Sequence, residues 1–260
     1  MNILDRIIAD KYKEVALKKT LITSTHLEKF PLFDRETYSL SEALKNSDSG
    51  IIAEHKRRSP SRSIINQDHN VQDVVSGYEN AGVCGISVLT DGKYFGGSLD
   101  DLVLARASAK IPLLRKEFII DEYQLFEAKA YGADAILLIA SVLDPKELKS
   151  LSQLANSLGL EVLVEVHDLE ELERSLMPGI TMVGVNNRNL KTFEVSTDIS
   201  KQLSEEIPND LVKISESGIS SVEAIRDLQN YGYRGFLIGE NFMKTKDPGK
   251  SAAEFINELK

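Results

Sequence analysis

The chain has 260 residues, 42% of them hydrophobic, and a formal net charge of −9. That is enough apolar material for a large core and too much for a disordered chain. The acidic balance, with a pI near 5.1, argues against general binding to nucleic acid or to an anionic membrane, both of which need a basic footprint.

Residues 1–48 precede the first strand-like run and read as a helical extension. Within them Asp5, Arg6, Asp10 and Lys11 break up any secretory-signal pattern. Ile3, Leu4, Ile7, Ile8, Tyr12 and Val15 recur at helical spacing on one face. Such a stripe either packs against the bottom or outside of the domain or covers the mouth of a site, and spacing alone does not choose.

From there a short β-branched apolar run alternates with a helical pattern. The runs are Ile51–Glu54, Gly85–Leu89, Ile111–Leu114, Ala135–Ile139, Glu161–Val166, Met182–Val185, Leu211–Ile214 and Gly235–Ile238. Their starts lie 34, 26, 24, 26, 21, 29 and 24 residues apart, room for a strand, a loop, a helix and a loop. Each run is apolar almost throughout, as parallel strands covered on both faces are. Between them, Asp144-Pro145-Lys146-Glu147 carries a capping aspartate, a first-turn proline and a glutamate at the third helical position. Ser220 to Glu223 has capping-box spacing, and Asp168 with Glu171 resembles one. Gly132, Gly159 and Gly232 follow predicted helices, where a left-handed residue is wanted. Eight units are enough to close a parallel sheet. The reading is an α/β fold, a single (β/α)8 TIM barrel over residues 1–260 with an N-terminal helical extension; a doubly wound open sheet is the rival.

The single cysteine, Cys84, excludes a disulfide framework and a multi-cysteine zinc site; after the helix-ending Gly82 it reads as a small buried residue. No apolar run approaches the ~18 residues that span a bilayer. In a barrel the active site lies at the C-terminal ends of the strands. There the sequence places Glu54 and Lys56 on one side and His55 on the other, then Arg115-Lys116-Glu117, Glu165 with His167 two residues on, Asn186-Asn187-Arg188-Asn189, Glu216-Ser217-Gly218, and Gly239-Glu240. A lone charge at a strand end is usually a solvated rim residue. Charges at six strand ends in one mouth are expensive unless paired or used, and they perturb one another's titration as acid–base work requires. Ser217-Gly218 and Gly239-Glu240 occupy the positions after strands seven and eight where barrels bind phosphate through backbone N–H groups.

Ile52-Ala53-Glu54-His55-Lys56 with Ser59-Pro60-Ser61, and Leu114 to Asp121, resemble the signatures of the indole-3-glycerol phosphate synthase family. So do Leu163 to His167, Gly184 to Leu190, Glu216 to Ile219, Leu237 to Glu240, and Leu89-Thr90 followed by Tyr94 to Ser98, all in family order. The resemblance implies a lyase of tryptophan biosynthesis that needs no cofactor or metal. Its substrate, 1-(2-carboxyphenylamino)-1-deoxyribulose 5-phosphate, loses carbon dioxide and water to give indole-3-glycerol phosphate. Carried over by motif, Lys116 is the general acid on the ribulose carbonyl oxygen, Glu165 its partner in proton transfer, and Glu54 a second acid–base group for the dehydration. Lys56 pairs with these carboxylates and reaches the phosphate. Asn186, Glu216 and Ser217 position the hydroxyls, Arg188 takes the anthranilate carboxylate, and the N–H groups of Gly218, Gly239 and Glu240 take the phosphate. Ser59 belongs to the substrate-binding set, and Pro60, Phe95, Phe118, Leu137 and Leu190 match positions lining the aromatic pocket.

One position departs from the family: Glu117 follows the lysine where Asp is usual. The extra methylene, ~1.5 Å of reach, is read as structural. The alternatives are another phosphate-binding barrel, such as phosphoribosylanthranilate isomerase, and a barrel that binds a phospholigand without turning it over. The isomerase is expected to use an early-strand cysteine with an aspartate, and the first strand here offers Glu54 and Lys56. The expected partner is a phosphorylated small molecule, with no nucleic acid or membrane, and the chain is expected to act as a cytoplasmic monomer. The loop Arg57–Ile65 is long enough to act as a lid.

Overall fold

A computed structural model describes residues 2–189 and 193–260. The extension forms α1 (Ile3–Leu21), α2 (Ser24–Leu27) and α3 (Leu40–Lys45). The eight runs form β1 (Ile51–His55), β2 (Gly85–Leu89), β3 (Leu113–Lys116), β4 (Ala135–Ile139), β5 (Glu161–Val166), β6 (Met182–Asn186), β7 (Val212–Glu216) and β8 (Gly235–Ile238). All pair in parallel with their sequence neighbours, and β8 pairs with β1, so the sheet closes. The open-sheet alternative is thereby excluded. The outer layer begins with α4 (Val71–Ala81), α5 (Gly92–Phe95), α6 (Leu99–Ser108), α7 (Tyr123–Ala130) and α8 (Pro145–Ser157). It continues with α9 (Leu169–Ser175), α10 (Asp198–Leu203), α11 (Val222–Gln229), α12 (Glu240–Met243) and α13 (Pro248–Leu259).

Alternation along each strand sorts the core into two. Ile51, Ala53, Ile86, Val88, Val162, Val164 and their equivalents face the helices. Ile52, Leu114, Ala135, Leu163, Met182 and Ile214 fill the barrel. Gly132, Gly159 and Gly232 all take positive φ after their helices, and Asp144 and Glu147 make both halves of a capping box. Cys84 is buried at the lower end of the barrel core.

Three local expectations are corrected. The third strand starts two residues later than its apolar run, at Leu113, and carries Arg115 and Lys116 inside the strand. Ser221, not Ser220, caps α11, accepting from the Ala224 N–H. Glu171 does not close a box with Asp168; its carboxylate accepts from the His167 N–H instead.

The extension divides its work between the two ends of the barrel. At the bottom, Leu40 and Leu44 of α3 pack into the interior cluster and stopper it. Two carboxylates hold that stopper. Glu161 accepts from the Leu40 and Ser41 N–H groups and from the hydroxyls of Ser39 and Ser41. Asp134, fully buried, accepts from Arg35 and the Tyr38 N–H at one oxygen and from Arg106 and the Leu113 N–H at the other. At the other end, Ile7, Lys11 and Val15 form the buried stripe of α1, whereas Tyr12 is exposed, which corrects the predicted face. A lysine can take Tyr12's place because Asp91, Glu117 and Glu14 surround its ammonium at 2.8–3.0 Å.

Asp134→Ala leaves Arg106 buried beside unpaired backbone N–H groups. The unfolding free energy is expected to fall by about 3–5 kcal/mol with KM unchanged, as read from denaturant melts and steady-state kinetics on the same preparation.

Candidate active site

At the C-terminal ends of the strands the inward-facing positions switch from apolar to polar. One layer up from Ile52, Leu114, Leu163 and Ile214, the same faces carry Glu54, Lys116, Glu165 and Glu216, with Asn186 beside them. The register explains why these five meet: Asn186 stands opposite Glu216, and Glu165 opposite Gly184. Two glycines make room for the carboxylates. A Cβ at Gly184 would lie 2.1 Å from Glu216 Oε1, and one at Gly239 would lie 2.6 Å from Glu54 Oε1.

Lys116 Nζ donates to Glu165 Oε2 at 3.2 Å and pairs with Glu216 on its other side. Lys56 Nζ lies 2.6 Å from Glu54 Oε1, so both point into the barrel, as alternation requires. Asn186 Nδ2 donates to Glu165 Oε1 at 3.0 Å. Burial pushes the Lys116 ammonium toward losing its proton, but Glu216, Glu165 and Glu54 outweigh burial and hold it charged well above its ordinary range. Burial also raises Glu165; Lys116, His167 and the Asn186 bond reverse the shift and keep it below the usual carboxylate value. For Glu216 burial wins. Lys116 offsets it in part, the charges of Glu165 and Glu54 add to it, and the carboxyl is pushed up to about 7. Two carboxylates on one lysine thus sit in opposite protonation regimes, the pattern that separates acid from base.

This cluster floors a cavity of about 410 Å³. Phe95 and Phe118, with ring centroids 5.9 Å apart, form one wall with Pro60 and Leu137. Ser59, Arg188, Ser217, Gly218, Gly239 and Glu240 line the same space. Every expected site residue thus borders one cavity, except Leu190, which lies outside the described residues. Gly218 takes φ +75 and Ser217 φ +68, a costly conformation for a side-chain-bearing residue. Asn187 helps to hold it there by donating 3.0 Å to the Ser217 carbonyl. The Glu240 carboxylate is taken by Arg62, which ties the loop after β1 to α12. The same loop is tied at Arg57, whose guanidinium meets both Asp101 oxygens at 2.6 and 2.8 Å.

His55 faces outward, fully buried, and burial beside Arg57 drives its imidazole down to about 4. Glu117 also borders the cavity, but its carboxylate points away: it accepts from Thr90 at 2.8 Å and from the Phe118 N–H at 2.9 Å, and meets Lys11 at 3.0 Å. Glu117 therefore links α1 to the aromatic wall. Residues not foreseen as site residues include Leu89, Ile139, Leu237 and Lys244 of the barrel and, from α1, Ile3, Leu4 and Ile7, which also line the cavity. The helical spacing of the last three was visible; the end of the barrel they cover was not.

Comparison with known proteins agrees with this geometry. The profile of the family described as indole-3-glycerol phosphate synthase matches residues 4–255. A curated protein of that name from Bacteroides thetaiotaomicron is 47% identical over 258 residues, 99% of each chain. Others from Polaromonas sp. and Aliarcobacter butzleri are each 42% identical, over 98% and 99% of each chain. Among solved structures, thiamine phosphate pyrophosphorylase from Pyrococcus furiosus superposes with a TM-score of 0.60 at 14% identity, covering 82% of this chain and 96% of that one. That likeness speaks for the barrel alone. The chain belongs to the indole-3-glycerol phosphate synthase family.

Proposed function

We infer that this cavity performs the reaction of its family, closing the indole ring of 1-(2-carboxyphenylamino)-1-deoxyribulose 5-phosphate with loss of carbon dioxide and water. The observation that carries the reading is the Lys116 ammonium, buried at the cavity floor between Glu165 and Glu216. As the aromatic carbon attacks the ribulose carbonyl carbon, the carbonyl oxygen gathers negative charge and takes a proton. A lysine kept charged by its neighbours is the donor in reach. Glu165, ionised beside it, takes and returns protons. The carboxylate leaves as carbon dioxide, and the electrons of the broken bond restore the aromatic ring. The apolar wall of Pro60, Phe95, Phe118 and Leu137 favours that loss of charge. Glu54, paired with Lys56, serves the later departure of the hydroxyl as water.

Around this centre Asn186, Glu216 and Ser217 position the hydroxyls, and Arg188 with Ser59 holds the anthranilate end at the rim. The phosphate lies against the backbone of Gly218, Gly239 and Glu240, within reach of Lys56. Per turnover one carboxylate becomes neutral carbon dioxide, so the site takes up one proton. Neither an isomerase nor a passive phospholigand barrel is favoured, given the family. Among the described residues no helix is long and apolar enough to cross a membrane. A cytoplasmic monomer without a nucleic-acid partner suits a small-molecule enzyme of tryptophan biosynthesis.

An assay with this substrate, EDTA and no added cofactor, read by indole fluorescence against a chain without Trp, tests the activity; no rise with substrate bound would refute it. Lys116→Met is expected to cut kcat by about 10²–10⁴-fold with KM within a few-fold, and a variant that keeps most of its turnover removes the general-acid role. Gly218→Ala places a Cβ 2.1 Å from Val195 Cγ1 at a positive φ, so KM should rise while kcat changes little. Since Glu216 gains its charge near pH 7, kcat/KM of the wild type should show an ionisation there that belongs to the Lys116 cluster. Glu216→Gln should abolish it; a wild-type profile flat from about pH 6 to 8 would contradict the assignment.

A further inference from the structure

His167 follows β5 directly and lies behind Glu165, outside the substrate cavity. Its Nδ1 is 3.0 Å from Glu171 Oε2, the oxygen that also accepts the His167 backbone N–H at 2.8 Å. Its Nε2 is buried, makes no hydrogen bond, and lies 3.4 Å from Glu165 Oε1. Because Glu171 is an acceptor, Nδ1 carries a proton. Nε2 then presents Glu165 with either a lone pair, which a carboxylate repels, or an N–H, which it attracts. Only the second makes the approach favourable.

We infer that His167, anchored by Glu171, is a positioning residue of this reaction: it holds the Glu165 carboxylate in place as the charged partner of Lys116. The inference rests on the proton-transfer role proposed for Glu165. It accounts for the inequality of the two glutamates on Lys116. Glu165 is bracketed by Lys116 at one oxygen and by Asn186 and His167 at the other. Glu216 has Lys116 at Oε2, and its Oε1 is buried without a hydrogen bond.

The surroundings of the imidazole favour its charge. Glu165, Glu171 and Glu216 face it from β5, α9 and β7, and together they outweigh burial and raise its titration above the ordinary value. On its far side a second cavity brings Asp5 of α1, Asp168 before α9, and Arg188 and Glu194 from the loop after β6. One positive charge among them faces three negative ones.

The test combines kinetics with a direct view of the ring. His167→Asn keeps an amide toward Glu171 and loses the contact with Glu165. It is expected to lower kcat about tenfold with KM within about twofold, and to move the acidic limb of the kcat profile about half a pH unit or more upward. The sign follows from removing a cation beside a carboxylate, which then binds its proton at higher pH. Glu171→Gln should move the limb the same way by less. Imidazole NMR of the wild type should find His167 titrating above about 6.5, and lower in Glu171→Gln; this decides the matter if His167→Asn does not fold. An unmoved limb with unchanged kcat, or a ring that titrates at or below the ordinary value, overturns the inference. Glu165→Gln separates the two readings. If it loses turnover while His167→Asn behaves as wild type, only the present inference fails; if it keeps turnover, the role of Glu165 falls and this inference with it.

Discussion

An ammonium inside a closed ring of strands is the constraint around which the upper half of this barrel is arranged. Lys116 can stay charged there only because Glu165 and Glu216 stand on either side of it. Those carboxylates are themselves buried and need room and partners. Gly184 and Gly239 supply the room by lacking a Cβ where Glu216 and Glu54 lie; Asn186 and His167 supply partners for Glu165 but not for Glu216. The difference in protonation is thus written into backbone and neighbours together. In a rigid site the groups need not reorganise when charge moves.

The lower half answers a different demand. A barrel of parallel strands leaves its N-terminal mouth open, and α3 fills it with Leu40 and Leu44. The helix is held by hydrogen bonds to Glu161 and by the chain leading into it at Asp134. Asp134 is buried as deeply as the carboxylates that line the cavity, yet its partners satisfy both its oxygens. Burial of charge does not by itself mark a site; an incompletely satisfied charge facing a cavity does.

Much of this was legible in the sequence. The continuous apolar runs named the strands, and four of them match the structure to the residue: Gly85–Leu89, Ala135–Ile139, Glu161–Val166 and Gly235–Ile238. Alternation alone put Glu54 and Lys56 inside and His55 outside. What pattern reading missed depends on contacts distant along the chain. Tyr12 looked like the better stripe residue than Lys11 because Asp91 and Glu117, its partners, lie 80 and 106 residues away. Glu171 looked like half of a capping box because its competing donor, the His167 N–H, sits in the turn before the helix. The third strand slid by two residues because hydrophobicity does not mark where pairing begins, and a buried Arg115 with Glu127 as partner reads as a loop charge.

The way α1 is attached has a mechanical consequence. Its one deeply buried ion cluster is at Lys11, where three carboxylates fix it. Asp10 adds exposed contacts to Lys93 and Tyr94 beside that point. Ile3, Leu4 and Ile7 all lie on one side of it, and among the described residues from Asn2 to Ala9 no ion pair ties that side down. Further along, Lys18 meets Glu127 at 3.3 Å and Lys19 meets Asp121 at 2.9 Å, so the helix is held from Asp10 to Lys19 while its apolar arm lies across the mouth. A bend of the helix ahead of Asp10 would lift that arm off the cavity at the cost of apolar contact alone, with every ion pair of the anchored half left in place.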